Sequence, residues 1–231
     1  MILTKKDISQ MFDLSCVRTY SHQADIDELI VNAKRNDCGH VSVLQCFIPE
    51  VKKQLADRPD IKVVGNVSFP SGSDTTSLKV AQAKEMVAVG CDEIDMVMNI
   101  GFLRSGKLRE VEEDVKAVVS VTKDIPLKVI IEISQLKKNE IEKACDICIN
   151  AGAAFVKTGT GWMNNGTTLE DIRLLKSIVG DSIKIKASGG IRDLKTLVEM
   201  YKLGAVRFGV NLRSGLDILE ECNKLGGKVS I

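Results

Sequence analysis

A recurrence organises this chain. An amphipathic helical pattern, a glycine and a short apolar run follow one another in Gly90-Cys91-Asp92-Glu93-Ile94-Asp95, in Gly152-Ala153-Ala154-Phe155-Val156-Lys157 and in Gly204-Ala205-Val206-Arg207-Phe208-Gly209. Gly39 before His40-Val41-Ser42-Val43 is a looser fourth copy. A helix closed by a left-handed glycine and followed by a strand has this signature. The preceding segments agree: Leu194, Leu197, Val198 and Tyr201 form one apolar stripe behind Asp193 as N-cap. Val80, Ala83 and Val87 form another behind Ser73 and Asp74.

Strands are expected around Asp13–Val17, Val41–Leu44, Lys62–Asn66, Glu93–Val97, Lys128–Ile133, Phe155–Lys157, Ile183–Lys186 and Val206–Gly209, with helical patterns between them. Alternating strand and helix favour a parallel sheet with right-handed crossovers. Eight units point to an α/β TIM (β/α)8 barrel, spanning 1–231 as a single domain with a short N-terminal helix. A doubly wound open sheet is the competing architecture. It is weaker because no G-x-G-x-x-G follows the first strand. The length of 231 residues fits one α/β barrel, and Thr4 with Asp7 reads as a capped helix start.

The charges nearly cancel, with 32 basic and 31 acidic residues for a net +1. That balance gives no reason to expect a nucleic-acid or membrane partner. MILTKKDISQMF lacks the apolar core of a signal peptide and no apolar run spans a bilayer, so a cytoplasmic location is expected. Cys145 and Cys148 form the one C-x-x-C, on a helical stripe with Ile141 and Ala144; core packing is favoured there over redox or metal chemistry. Two histidines, His22 and His40, cannot build a His-rich zinc site, so no metal and no cofactor is expected.

In a barrel the C-terminal strand ends face the active site. Five residues beyond each recurrent glycine stand Asp95, Lys157 and Gly209, and Lys186 joins them from the neighbouring strand. Lys157 ends FVK before TGTG, and Lys186 ends IKIK before ASGG. An ammonium is costly to desolvate, so two lysines at buried strand ends suggest amine chemistry in which one lowers the pKa of the other. Lys184, two residues before Lys186, shares its face under strict alternation; it sits lower in the barrel, or the strand is irregular. Asp95 lies among Ile94, Met96 and Val97 as either a structural ion pair or a proton shuttle. Glu132, ending KVIIE, is a candidate supporting acid. Asp13 is placed to orient a substrate hydroxyl. Ser188-Gly189-Gly190 and Gly209-Val210-Asn211 are candidate anion loops, the latter leading to a helix near Ser214.

The segments GCDEIDMVMNIG, LKVIIEISQL, FVKTGTGW and IKASGGIR, with FIPEVKKQL and VSFPSGS, resemble the deoxyribose-phosphate aldolases, a family of class I Schiff-base aldolases. The resemblance implies that Lys157 forms the Schiff base, Lys186 perturbs it, and Asp95 acts as acid or base with a water. It implies that Asp13, Ser15 and Thr160 line the substrate pocket, and that Gly189, Gly190 and Gly209 contribute to phosphate binding. The implied reaction is reversible cleavage of 2-deoxyribose 5-phosphate to glyceraldehyde 3-phosphate and acetaldehyde. The partner would be a small aldehyde or sugar phosphate, in a chain whose relatives are commonly homodimers. Four positions depart from the family pattern. Ser15 stands in place of a threonine and Ser42 in place of a cysteine. Asn211 and Leu212 replace a serine pair, and Trp162 stands where some members carry a basic residue. The imine machinery is thus intact while the phosphate end is altered. A lysine-dependent aldolase or transaldolase for a different sugar or aldehyde, larger or unphosphorylated, is one competitor. A phosphate-binding barrel isomerase without an imine is the other.

Overall fold

Eight parallel strands close on themselves in the computed structural model, which describes residues 1–231. In chain order the elements are β1 (Ile2–Thr4), α1 (Lys5–Gln10), β2 (Phe12–Cys16), α2 (Gln23–Arg35), β3 (His40–Val43), α3 (Ile48–Gln54), β4 (Lys62–Val67), α4 (Thr76–Ala88) and β5 (Glu93–Val97). They continue with α5 (Ile100–Arg104), α6 (Leu108–Thr122), β6 (Leu127–Ile130), α7 (Lys138–Asn150), β7 (Phe155–Lys157), α8 (Leu169–Val179) and β8 (Lys184–Ser188). The chain ends with α9 (Leu194–Lys202), β9 (Ala205–Asn211), α10 (Leu212–Lys224) and β10 (Lys228–Ser230). The barrel runs from β2 to β9 in sequence order, and β9 closes onto β2 with Gly209 opposite Asp13. That closure rules out the open doubly wound sheet. No helix is long and apolar enough to cross a membrane.

The recurrent glycines do what their pattern implies: Gly90, Gly152 and Gly204 lie at φ +80, +79 and +110. The fourth copy differs. Asp37 takes the left-handed conformation there, at φ +48, while Gly39 is a glycine because a Cβ would strike the Gln10 carbonyl oxygen. Thr4 and Asp7 form a capping box on α1, and Asp193 caps α9. The helix carrying Val80, Ala83 and Val87 starts later than expected, with Thr75 as its N-cap in place of Ser73 or Asp74.

Strand alternation sorts the barrel into two environments. Along β5, Ile94 and Met96 join the shell packed under the helices, whereas Glu93 and Asp95 turn into the barrel. The helical stripes complete the shell: Ile172, Leu175 and Val179 on α8, and Ile141, Ala144, Cys145 and Cys148 on α7. Cys145 and Cys148 are free and buried, so they are packing residues. Burial pushes the Cys145 thiol up to about 12 and the Cys148 thiol well above the usual range.

Two strands end differently from the sequence pattern. The sixth stops at Ile130, leaving Glu132 in a left-handed turn at φ +48 rather than at a strand end. The last barrel strand, β9, runs on to Asn211, so α10 begins at Leu212. In β8 the register slips between Ile185 and Lys186. Lys184 is exposed at the strand's start, with its Nζ 5.5 Å from the Phe155 ring centroid and no acidic partner. Lys184 therefore does sit low in the barrel, on an irregular strand.

Candidate active site

Parallel register assembles the centre. On the β5–β6 ladder Asp95 lies opposite Lys128, and on the β7–β8 ladder Lys157 lies opposite Lys186. Asp95 is fully buried and takes three ammonium donors: Lys157 at 2.7 Å and Lys186 at 2.7 Å on Oδ2, and Lys128 at 3.0 Å on Oδ1. Because Lys157 and Lys186 share one oxygen, at most twice that distance separates their nitrogens. Lys186 also donates to Asp13 Oδ2. A second layer lies against these groups: Arg207 bonds Asp13 at 2.9 Å and Glu93 at 3.0 Å, and Lys128 reaches Glu93 at 2.6 Å.

The charges set one another's protonation. Burial alone would raise the Asp95 carboxyl, but Lys128, Lys157 and Lys186 overcome it and hold Asp95 well below the usual carboxylate range. Asp13 is likewise driven down against its burial by Lys186, Lys128 and Arg207. Glu93 falls to about 2 despite burial, through its His40 contact and Lys128. Lys128 is held above the usual lysine range because Asp95, Asp13 and Glu93 outweigh its burial. Lys186 goes the other way. Burial pulls it down to about 8, the two aspartates offset this only in part, and Lys157 and Lys128 add to the drop.

Above this floor the barrel opens upward. A narrow pocket is lined by Asp13, Ser15, Lys157, Thr160, Lys186 and Gly209, with Ser42 from the second barrel strand. It shares Ser15, Thr160, Ser188 and Gly209 with a wider cavity of about 740 Å³. Gly189, Gly190 and Asn211 line that cavity. Gly209 is a glycine because a Cβ would strike Ser188 Oγ and lie 3.6 Å from Lys186 Cε.

The expected residues therefore converge, with one correction at Glu132 and one added role at Asn211. Glu132 touches neither lysine; its carboxylate accepts the Thr160 hydroxyl at 2.5 Å and the Thr160 amide at 3.2 Å, so it anchors the TGTG turn. Asn211 lines the cavity, but its Oδ1 accepts the Ser214 amide at 2.8 Å as the N-cap of α10. Sequence reasoning missed Lys128, Glu93 and Arg207. They lie on the inward face two residues from chosen positions or near strand starts, where alternation could have found them.

Asp13, His40 and Glu93 place ligand-type atoms within 4.8 Å of one another. This set suits a metal poorly, since Arg207 and Lys128 already hold its carboxylates and a dication would lie against both.

The family model described as DeoC/LacD family aldolase matches residues 7–220. The chain belongs to this family. A deoxyribose-phosphate aldolase of Sinorhizobium medicae is 39% identical over 225 residues, covering 97% of this chain and 91% of the relative. Among solved structures, "QR15, an Aldolase" superposes with a TM-score of 0.88 at 37% identity, covering 95% of this chain and 97% of that one. A deoxyribose phosphate aldolase from Aeropyrum pernix, described as having a unique tetrameric structure, gives a TM-score of 0.87 at 24% identity over 96% of this chain and 93% of its own. That last likeness concerns the fold. Family membership agrees with the buried lysines at the C-terminal mouth.

Proposed function

We propose that this chain is a class I aldolase that cleaves 2-deoxyribose 5-phosphate reversibly to glyceraldehyde 3-phosphate and acetaldehyde. The observation that carries this reading is the pair of lysines, Lys157 and Lys186, each 2.7 Å from one carboxylate oxygen of buried Asp95. Lys157 is the nucleophile, lining the narrow pocket beside Thr160 and Ser15.

Burial and the neighbouring lysines bring Lys186 down to about 8, so it can take the proton of Lys157 and leave a neutral amine. The reactive form carries that neutral amine on Lys157 and the remaining proton on Lys186, with Asp95 ionised between them. Lys157 Nζ attacks the C1 aldehyde of the open-chain sugar. The carbinolamine loses its hydroxyl as water, taking a proton from Lys186, and leaves an iminium. The C3 hydroxyl then gives up its proton to Lys186, neutral after the dehydration step, and the C2–C3 bond breaks, its electrons flowing into the iminium. Glyceraldehyde 3-phosphate departs and an enamine stays on Lys157. Protonation of that enamine at C2 and hydrolysis of the imine release acetaldehyde and restore the amine.

Asp95 does not trade its own proton in this scheme. The ammonium groups of Lys128 and Lys186 keep it ionised, and it fixes Lys157 and Lys186 in place. Asp13 acts on the far side of Lys186 in the same way. The glycines at 189, 190 and 209 leave backbone accessible along the cavity wall, where the phosphate end of the sugar lies.

The test is reduction with borohydride in the presence of 2-deoxyribose 5-phosphate or acetaldehyde, followed by peptide mass spectrometry. An adduct on Lys157 is expected. A protein that turns over substrate and forms no adduct on Lys157 would be the imine-free isomerase type instead. The reading also places the enzyme in the cytoplasm as a homo-oligomer, which fractionation and light scattering check.

A further inference from the structure

We propose that Arg18 is a specificity residue that binds the phosphate group of the substrate, held in position by Trp162. This inference rests on the aldolase reading and assigns the far end of its substrate. Arg18 and Trp162 both line the wide cavity, on the side of the mouth where the loop after β2 faces the loop after β7.

The guanidinium is fixed from two directions. Its carbon sits 5.6 Å from the Trp162 ring centroid, and Nη2 donates to the Gly161 carbonyl at 2.8 Å. Trp162 is itself supported: Phe69 meets its ring edge-on with centroids 6.0 Å apart, and its amide donates to Thr160 Oγ1 at 3.0 Å. Thr160 is in turn anchored on Glu132. A chain of contacts thus runs from a buried carboxylate to an arginine at the cavity mouth.

Three features make this arginine a binder of anions. A guanidinium carries five N–H donors, and the Gly161 contact uses one of them. Arg18 has no carboxylate within ion-pair distance, whereas Arg213 on the same cavity is engaged by Asp217 at 3.0 Å. Stacking on an aromatic ring leaves the guanidinium edge available and lowers the entropy lost on binding, which suits the two-oxygen face of a phosphate. The indole Nε1–H of Trp162 is buried without a partner, so the ring is held by packing rather than by a hydrogen bond of its own. Asp25 and Glu28 also line the cavity, and the Asp25 carboxylate is occupied as a helix cap at His22. Facing this wall, Gly189 and Gly190 offer backbone rather than side chain. Trp162 therefore does not close the cavity to phosphate; it carries a cation supplied by another loop.

The test compares steady-state cleavage of 2-deoxyribose 5-phosphate and of 2-deoxyribose by the parent protein and by Arg18→Ala, Arg18→Lys and Trp162→Ala. The readout is the ratio of kcat/KM for the ester over the free sugar. Loss of one charge-assisted hydrogen-bonded contact corresponds to a fall of about 10- to 100-fold in that ratio. The fall is expected in Arg18→Ala, mainly through KM, with partial recovery in Arg18→Lys and a smaller fall in Trp162→Ala. An unchanged ratio, or an equal loss on both sugars, would overturn the assignment, as would a parent enzyme with no preference for the ester. A binding measurement separates this from the aldolase reading. Inorganic phosphate titrated calorimetrically should bind the parent protein at least tenfold more tightly than Arg18→Ala, and equal affinity overturns the role of Arg18. Absence of the borohydride adduct on Lys157 bears on the aldolase reading alone.

Discussion

Replacing Asp95 by asparagine is the sharpest test of the ion cluster. The side chain keeps its shape and loses the charge that three buried ammonium groups share. Removing one partner from a buried ion pair costs about 3–5 kcal/mol. Part of that cost is bounded by Lys186. Its pKa is about 8, so shedding its proton at pH 7 costs about 1.4 kcal/mol, and the Lys186 share of the penalty cannot exceed this. For a chain of this size the total corresponds to a fall in Tm of about 6–20 °C. The sign with pH follows. In the variant Lys186 loses an attractive partner, so its folded pKa drops further below both about 8 and the unfolded value. Between the two folded pKa values the variant binds fewer protons than the parent, so its stability rises relative to the parent as pH increases. Above pH 8 the two run parallel. Urea titrations at pH 7 and pH 9 should therefore show a penalty about 1.4 kcal/mol smaller at pH 9. The rate should fall about 10²- to 10⁴-fold, since both amines lose the group that positions them. A penalty under about 1 kcal/mol at pH 7, or one that does not shrink by pH 9, would refute the argument.

Other outcomes follow from the same geometry. The kcat/KM profile should rise through about pH 8 as Lys186 loses its proton and becomes able to take that of Lys157, and Lys186→Met should remove that limb and cut activity at pH 7 by about 100-fold or more. A limb left in place would remove Lys186 from the scheme. Gly209→Ala should lower kcat/KM and cost about 1–3 kcal/mol by pushing Ser188 and Lys186, as urea denaturation and kinetics would show. Native protein should react quickly with a thiol reagent at exposed Cys46 and slowly at Cys145 and Cys148, with all seven cysteines reacting in denaturant. Rapid native labelling of the Cys145–Cys148 pair would contradict their place in the core.

Much of the barrel was legible because helix, glycine and strand recur with distinct periods. The glycines at 90, 152 and 204 mark helix ends by a backbone requirement that few residues meet. Lys157 and Lys186 stood out because a lysine ending an apolar run is costly. The inner layer was less visible. Lys128, Glu93 and Arg207 sit near strand starts, where a charge looks like the solvent-exposed edge of a strand; only register shows that they meet inside. Glu132 was misplaced because KVIIE reads as one strand, and nothing local announces the left-handed turn. The antiparallel pairing of β1 with β10 joins three-residue segments from opposite ends of the chain, too short to carry a period.

The buried cluster also has a charge parity. Four cations, Lys128, Lys157, Lys186 and Arg207, face three carboxylates, Asp13, Glu93 and Asp95. Fully ionised, the set carries one uncompensated positive charge away from water, and the cheapest correction is to release one proton from an amine. An even cluster would lock every lysine as an ammonium. The odd number keeps one nitrogen lone pair in reserve, so the nucleophile is a property of the whole set rather than of one residue. A fourth acid introduced among these groups would then stabilise the barrel and silence it together.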